Sequence, residues 1–218
     1  MNPRRWFSRW RRTVTDPPSG VQRWVLLDVE TGGLDVERDP LLAIAAVAVE
    51  VDWPQGRLVI RPGDSLSVTL RPPQASGKAN ILLHGIGAGR QRAGLPPAEG
   101  LQAFLDWAGP APRVAFHAAF DRALLTRECR RHLGDTMRHE WLDLAPLCTV
   151  SHPSVQARAL DDWLRHFRIE CLARHEAAAD VLAEAELLQR IWPRVAAECD
   201  GWQALQRYAG RAAWLGAR

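Results

Sequence analysis

The stretch WVLLDVE at residues 24–30 decides the fold class. It is a short apolar run that ends in acids, a pattern that predicts a buried β-strand. Because side chains at positions i and i+2 of a strand point to the same face, Asp28 and Glu30 should project together from its end. The tripeptide TGG at 31–33 follows and predicts a tight turn, in which the backbone can approach a ligand closely.

Further strands and helices are predicted downstream of this stretch. LLAIAAVAVEV at 41–51 predicts a second strand, and residues 57–72 predict a third with a break at Pro62-Gly63. RVAFHAA at 113–119 predicts a fourth strand. Apolar residues at helical spacing mark four further segments, 96–108, 120–133, 159–167 and 175–192. Three early strands followed by alternating elements predict a mixed sheet with helices around it.

The composition predicts a single soluble domain. A chain of 218 residues with 47% hydrophobic residues can bury an adequate core, and the net charge of +3 permits a polyanionic partner without requiring one. The four cysteines form no CxxC pair, which disfavours a zinc site and predicts reduced, packed thiols. The sequence has neither an apolar run long enough to span a membrane nor the apolar core of a signal peptide, so we expect a cytoplasmic protein.

The two ends of the chain differ from the part between them. Residues 1–20 carry five arginines around two tryptophans and one phenylalanine, and they end in a Pro-Pro-Ser-Gly linker. This segment predicts a phosphate-binding arm, a contact with an anionic membrane surface, or an amphipathic helix packed on its own domain. The main domain is predicted over residues 21–195. The tail at 196–218 is predicted to be helical and packed on that domain, with docking on a partner protein as the alternative.

Two further acids and a histidine accompany the first pair. Asp121 follows the fourth strand at the beginning of a helix, where an aspartate commonly caps the N-terminus. Asp180 lies among alanines, which leave room for a metal ion but are also good helix formers. His175 stands where this second helix should begin, and a histidine taken alone is usually structural or solvated. Asp28 and Glu30 either are solvent-exposed acids or, if buried together, require a cation such as Mg²⁺ or Mn²⁺.

Three ordered motifs carry a family resemblance. They are LLDVETGGL at 26–34 followed by LLAIAAVAV, then FHAAFDRALL at 116–125, then HEAAAD at 175–180. Together they resemble the exonuclease motifs of the DEDDh superfamily, which includes the proofreading epsilon subunit of bacterial DNA polymerase III, ribonuclease T and oligoribonuclease. The resemblance covers residues 24–192 and implies a ribonuclease H-like α/β fold, a five-stranded mixed sheet with helices on both faces. The spacing from His175 to Asp180 matches the histidine subtype.

The resemblance also implies roles for individual residues. Two Mg²⁺ or Mn²⁺ ions would be bound by four carboxylates, with Asp28 bridging both ions. His175 would accept the proton of the attacking water, a task that suits a group titrating near neutral pH. Phe116-His117 replaces the His-Asn usual in epsilon-like members, so His117 is given no catalytic role. The implied metal ligands are Asp28, Glu30, Asp121 and Asp180, and the implied contacts to the terminal nucleotide are Thr31, Gly32, His84, Ile86 and Phe120.

The function that the resemblance implies is a 3′–5′ exonuclease that releases nucleoside 5′-monophosphates from single-stranded DNA or mispaired ends. An RNA exonuclease similar to ribonuclease T or oligoribonuclease is one alternative, because the sequence does not expose the contacts to a 2′-hydroxyl. A catalytically silent module that binds nucleic acid or a polymerase is another, although all four carboxylates and the histidine are present. The expected partners are a nucleic-acid 3′ end, DNA rather than RNA, and a polymerase or repair protein.

Overall fold

A computed structural model describes residues 20–215, so the segment predicted over residues 1–20 lies almost wholly outside the described residues. Five strands form one sheet in the order β3-β2-β1-β4-β5. β1 pairs antiparallel with β2, and β2 with β3, whereas β1–β4 and β4–β5 are parallel. The strands are β1 (Val21–Thr31), β2 (Leu41–Asp52), β3 (Arg57–Thr69), β4 (Arg113–Ala115) and β5 (Trp141–Asp143).

Helices connect β3 to β4 and β4 to β5, and further helices follow β5. Within residues 20–215 none of them is long and apolar enough to cross a bilayer. The helices that precede β5 are α1 (Lys78–His84), α2 (Ala88–Ala93), α3 (Pro97–Ala108) and α4 (Ala119–Leu133). Those that follow it are α5 (Leu144–Ser151), α6 (Leu160–Phe167), α7 (Ala177–Glu198), α8 (Trp202–Gly210) and α9 (Ala212–Leu215).

Strand β1 is buried on both faces because its alternate residues enter two different cores. Trp24 and Leu26 pack on the face covered by α5 to α8, while Val25 and Leu27 pack on the face covered by α3 and α4. All four side chains are 0% exposed. The five-stranded mixed sheet with helices on both faces is therefore confirmed. Since Asp28 continues the Trp24–Leu26 face, it points toward α7 rather than toward α4.

Strands β3 and β4 differ from their predicted forms. β3 runs as one strand over 57–69, and the break predicted at Pro62-Gly63 takes the form of a bulge in its pairing with β2. Val47 and Ala48 oppose Ser65 and Arg61, so residues 62–64 of β3 form the bulge. The strand predicted over 113–119 ends at residue 115, because His117 takes a left-handed backbone with φ of 60° and turns the chain into α4.

Helix α7 carries the last sequence motif to the sheet. It begins at residue 177, two residues later than predicted, and continues past Pro193 to residue 198. One face of the helix is buried by residues such as Leu187, Ile191 and Val195, which pack against the strands. This packing places the N-terminal turn of α7, with Asp180, beside the end of β1.

The segment after α7 folds back as α8. Trp202, Leu205 and Ala209 are buried in the core shared with α5 and α7. The Trp202 ring packs edge-on against Trp24, with ring centroids 4.9 Å apart. Trp214 beyond it is 81% exposed. The domain bounds of 21–195 and the separate tail stay predictions.

Candidate active site

Three carboxylates from two elements meet at the end of β1. Asp28 and Glu30 come from the same face of the strand, as its period-two spacing requires, and Asp180 comes from the first turn of α7. One carboxylate oxygen of each residue lies within 4.8 Å of the other two, so a single cation can contact all three. They line an open cleft of about 300 Å³, and His175 lines the same cleft.

Asp121 lies behind this group. It is the third residue of α4, whose N-cap Ala118 makes no side-chain cap hydrogen bond, and its carboxyl group is buried rather than placed as a cap. Burial, followed by the charge of Asp28, raises the pKa of Asp121 well above its ordinary value. The structure therefore brings the fourth predicted carboxylate beside the cluster, although it is not one of the three that lie within 4.8 Å of one another.

Burial together with like charge raises the pKa of the carboxyl groups in the cleft. Desolvation first, and then Asp180, raise the pKa of Asp28 to about 7. Desolvation first, and then Asp28 and Asp180, raise the pKa of Glu30 to about 8. The cationic side chain of Arg174 opposes both shifts. The ionised form of the cluster is therefore uncompensated near neutral pH, and a bound cation would stabilise it.

A fifth carboxylate, Glu184, lies in the same cleft, and the sequence analysis missed it. Its side chain is buried, and Oε2 accepts a hydrogen bond from the backbone N–H of Phe116 at 3.3 Å. Burial, and then the charges of Asp28 and Asp121, raise the pKa of Glu184 well above its ordinary value. Helical spacing was an available signal, because position i+4 from Asp180 lies on the same face of α7.

The loop between α6 and α7 closes around Asp180. The backbone N–H of His175 donates to Oδ2 of Asp180 at 3.0 Å, and the thiol of Cys171 donates to Oδ1 at 3.2 Å. The guanidinium of Arg174 also donates to Oδ1. These contacts hold His175 in a left-handed backbone with φ of 64° and leave it exposed at the rim of the cleft. The five-residue spacing from His175 to Asp180 thus has a structural cause, since the carboxylate fixes the loop that carries the histidine.

The turn after β1 is shaped by contacts within the protein. The backbone N–H of Gly32 donates to the carbonyl of Pro40 at 2.9 Å. A Cβ on Gly32 would lie 2.8 Å from the Pro40 ring, and one on Gly33 would lie 2.2 Å from Oδ2 of Asp39. Both positions therefore favour glycine, because the returning chain packs directly on the turn. Internal packing against Pro40 therefore accounts for Gly32, and the approach of a ligand to this turn stays a prediction.

The residues predicted to contact the terminal nucleotide fall into two groups. Thr31 and Gly32 are half-buried and directly follow Glu30 in the chain. His84 and Ile86 are only 2% and 3% exposed, and Phe120 packs partly buried against the core beneath α3 and α4. Among the described residues none of the five lines the cleft, whereas the exposed His117 does. A role of the five predicted residues in binding a nucleotide stays a prediction.

We expect the metal-free protein to lose stability as the pH rises from about 5 to about 8. The folded-state pKa values of Asp28 and Glu30, about 7 and about 8, lie above their ordinary values of 3.8 and 4.5. The folded chain therefore binds more protons than the unfolded chain between these limits. The destabilisation is absent well below pH 4, where both states are protonated, and complete only well above pH 8, where both are ionised.

Thermal unfolding at a series of pH values, in EDTA and in saturating Mg²⁺, measures this effect. Bound cation stabilises the ionised carboxylates, so the fall in melting temperature should be shallower in Mg²⁺. Asp28→Asn is the control, because it removes one titrating group and should flatten the curve in EDTA. A melting temperature in EDTA that rises across this range contradicts the raised pKa values.

Sequence comparison places these features in a known family. The family profile described as "Exonuclease" (RNase_T) matches residues 25–188. The PolC-type DNA polymerase III of Clostridium perfringens is 25% identical over 177 residues, 81% of this chain and 12% of the relative. The DNA polymerase III subunit epsilon-like protein of Rhodobacter capsulatus is 28% identical over 187 residues, 84% of this chain and 26% of the relative. The chain thus spans only about an eighth to a quarter of the length of these relatives.

Solved structures share the fold. Escherichia coli exonuclease I in complex with a dT13 oligonucleotide superposes with a TM-score of 0.67 at 16% identity, covering 79% of this chain and 41% of that one. Cell-death related nuclease 4 gives a TM-score of 0.65 at 17% identity, covering 78% and 63%. These likenesses confirm the ribonuclease H-like fold, and the family profile spans all three sequence motifs. The chain therefore belongs to the RNase_T exonuclease family, as a DEDDh exonuclease that resembles the epsilon subunit of DNA polymerase III.

Proposed function

We propose that this protein is a metal-dependent 3′–5′ exonuclease that releases nucleoside 5′-monophosphates from single-stranded DNA or mispaired 3′ ends. The observation that carries the proposal is the open cleft in which Asp28, Glu30 and Asp180 converge within 4.8 Å, with His175 at its rim. DNA is favoured because the matched relatives are DNA polymerase III proteins and one structural neighbour binds a dT13 oligonucleotide. The same relatives support a polymerase or repair protein as partner.

The donor set of the cleft fits a hard divalent cation. The three converging groups are all carboxylates, the ligands that Mg²⁺ and Mn²⁺ prefer. The pKa values of Asp28 and Glu30 stay raised although Arg174 lowers them, so the positive charge nearby does not balance the negative charge of these carboxylates. Asp28, Glu30 and Asp180 would hold the metal, with Asp121 and Glu184 close behind. Two such ions, when bound, supply an activated water and stabilise the leaving oxygen of a phosphodiester.

The residues around the carboxylates supply the remaining functions. His175 is exposed, and its backbone is fixed by Asp180, so its imidazole can take a proton at the rim and release it to solvent. Thr31 and Gly32 meet the terminal sugar next to Glu30. His84, Ile86 and Phe120 contact the last base once the segments that carry them adjust to the substrate. Contacts of the apolar and aromatic kind tolerate any base, as a general exonuclease requires.

Digestion of matched 5′-labelled substrates tests the proposal. In Mg²⁺ or Mn²⁺ we expect progressive shortening of single-stranded DNA and of a mispaired duplex end, while a covalently closed circle stays intact and EDTA stops the reaction. Asp28→Asn prepared in parallel controls for a contaminating nuclease. Efficient cutting of the circle indicates an endonuclease, and full activity in EDTA contradicts the metal mechanism. Faster digestion of matched RNA favours the RNA alternative, and binding without cleavage favours the silent module.

A further inference from the structure

We propose that Arg174 is an internal counter-cation that leaves Asp180 when metal binds and then contacts a phosphate of the substrate. The inference rests on the proposed metal-dependent function. Its starting observation is that one guanidinium group bridges two acids, donating to Oδ1 of Asp180 and to Oδ1 of Asp161. Asp161 belongs to α6 and Asp180 to α7, so Arg174 joins the two helices across one wall of the cleft.

The two oxygens of Asp180 are both engaged by the loop that precedes α7. Oδ2 accepts the backbone N–H of His175, and Oδ1 accepts both the guanidinium of Arg174 and the thiol of Cys171. Asp180 is also one of the three carboxylates that converge on a single point. A divalent cation at that point would lie against the same carboxylate as the guanidinium, and the two positive charges repel each other at contact distance. Metal binding and the Arg174–Asp180 contact are therefore in competition.

After it leaves Asp180, Arg174 can keep its contact with Asp161 and contact a phosphate of the substrate. Its contact with Asp161 does not involve the convergent carboxylates, so the side chain can remain at the wall of the cleft. Among the described residues that line the cleft, Arg174 is the single arginine or lysine, facing four carboxylates that repel an anionic substrate. The Arg174 side chain is 29% exposed, and its planar guanidinium donors match phosphate oxygens in geometry and charge. Metal binding therefore releases the guanidinium of Arg174 from Asp180, and the guanidinium can then bind the substrate phosphate.

Metal binding to Arg174→Gln is the first test. We expect calorimetric titration with Mn²⁺ to show that Arg174→Gln binds the ion at least fivefold more tightly than the wild type. This is the lower end of the coupling of about 5–150-fold that is usual between two sites. A salt concentration of about 0.15 M screens the charges that lie far from the site. The melting temperature in EDTA should fall, because the acids lose their counter-cation. Arg165→Gln is the matched control: Arg165 lies on α6, pairs with Asp162 and is 75% exposed. It should leave both values at the wild-type level.

Oligonucleotide binding is the second test and does not depend on hydrolysis. Anisotropy of a labelled thymidine oligonucleotide, measured in Ca²⁺ and in EDTA, should show weaker binding by Arg174→Gln in Ca²⁺ only. In EDTA Arg174 is held by the acids, so its removal should not weaken binding further. The proposed movement of Arg174 from Asp180 to a phosphate is overturned if Arg174→Gln binds Mn²⁺ no more tightly than the wild type. It is also overturned if the variant loses the same oligonucleotide affinity in Ca²⁺ and in EDTA. Neither of these two binding measurements requires turnover. If they fail, the role of Arg174 is overturned and the proposed function is not. The proposed function is overturned by a different result, full activity of Asp28→Asn.

Discussion

Asp28→Asn should abolish nuclease activity and, with it, the stabilisation of the protein by Mg²⁺ or Mn²⁺. The charge of Asp28 contributes to the raised pKa of Glu30, Asp121 and Glu184, so this carboxylate lies at the electrostatic centre of the site. Metal ions contribute several kcal/mol to transition-state stabilisation, and each 1.36 kcal/mol is a factor of ten in rate. We therefore expect the rate to fall by about three orders of magnitude or more.

The same substitution should have the opposite effect on the metal-free fold. Asp28 is buried among like charges, and an amide of the same shape carries no charge to be desolvated. The melting temperature of Asp28→Asn in EDTA at about pH 8 should therefore exceed that of the wild type. Asp106→Asn on α3 is a control, because it changes an exposed acid away from the cleft. A variant that keeps the wild-type thermal shift in Mg²⁺ shows that Asp28 is not a metal ligand.

Local features of the site were predictable from sequence because they depend on short-range geometry. The alternation of strand side chains fixes Asp28 and Glu30 on one face whatever the rest of the fold does. The spacing of His175 and Asp180 also has a local cause, since the carboxylate accepts the N–H of the histidine. The order of the three motifs then identifies the family. The family resemblance in turn predicts that the acids of β1 and α7 lie close together, which no single segment of the sequence predicts.

Other features depend on contacts between distant segments, which no local pattern in the sequence shows. The carboxyl group of Glu184 meets the N–H of Phe116, which is 68 residues away in the chain. The three-residue strand β5 is too short to show any periodicity, so only the resemblance supplied a fifth strand. The burial of Ile86, between α1 and α2, comes from its packing on β2, where it shares a small core with Leu42.

His175→Ala separates proton transfer from metal binding. If the imidazole is the general base, its removal should lower the rate by roughly 10²–10⁴-fold, the usual worth of a positioned proton acceptor. Mn²⁺ affinity should stay near that of the wild type, because the substitution leaves in place the three carboxylates that could hold a metal ion, those of Asp28, Glu30 and Asp180. Single-turnover digestion of a labelled strand, with a parallel calorimetric titration of Mn²⁺, measures both quantities on the same preparation.

Two further comparisons distinguish the base from a structural histidine. Raising the pH should partly restore His175→Ala, as hydroxide replaces the missing base, but should not restore Asp28→Asn, which lacks a metal ligand. His117→Ala is the matched control: His117 is a second exposed imidazole of the cleft, with a φ of 60° against 64° for His175. Both substitutions put alanine into a left-handed backbone, so strain should affect them alike. Only His175→Ala should show the large loss of rate that a higher pH partly restores. Wild-type turnover by His175→Ala at neutral pH would mean that the histidine is structural.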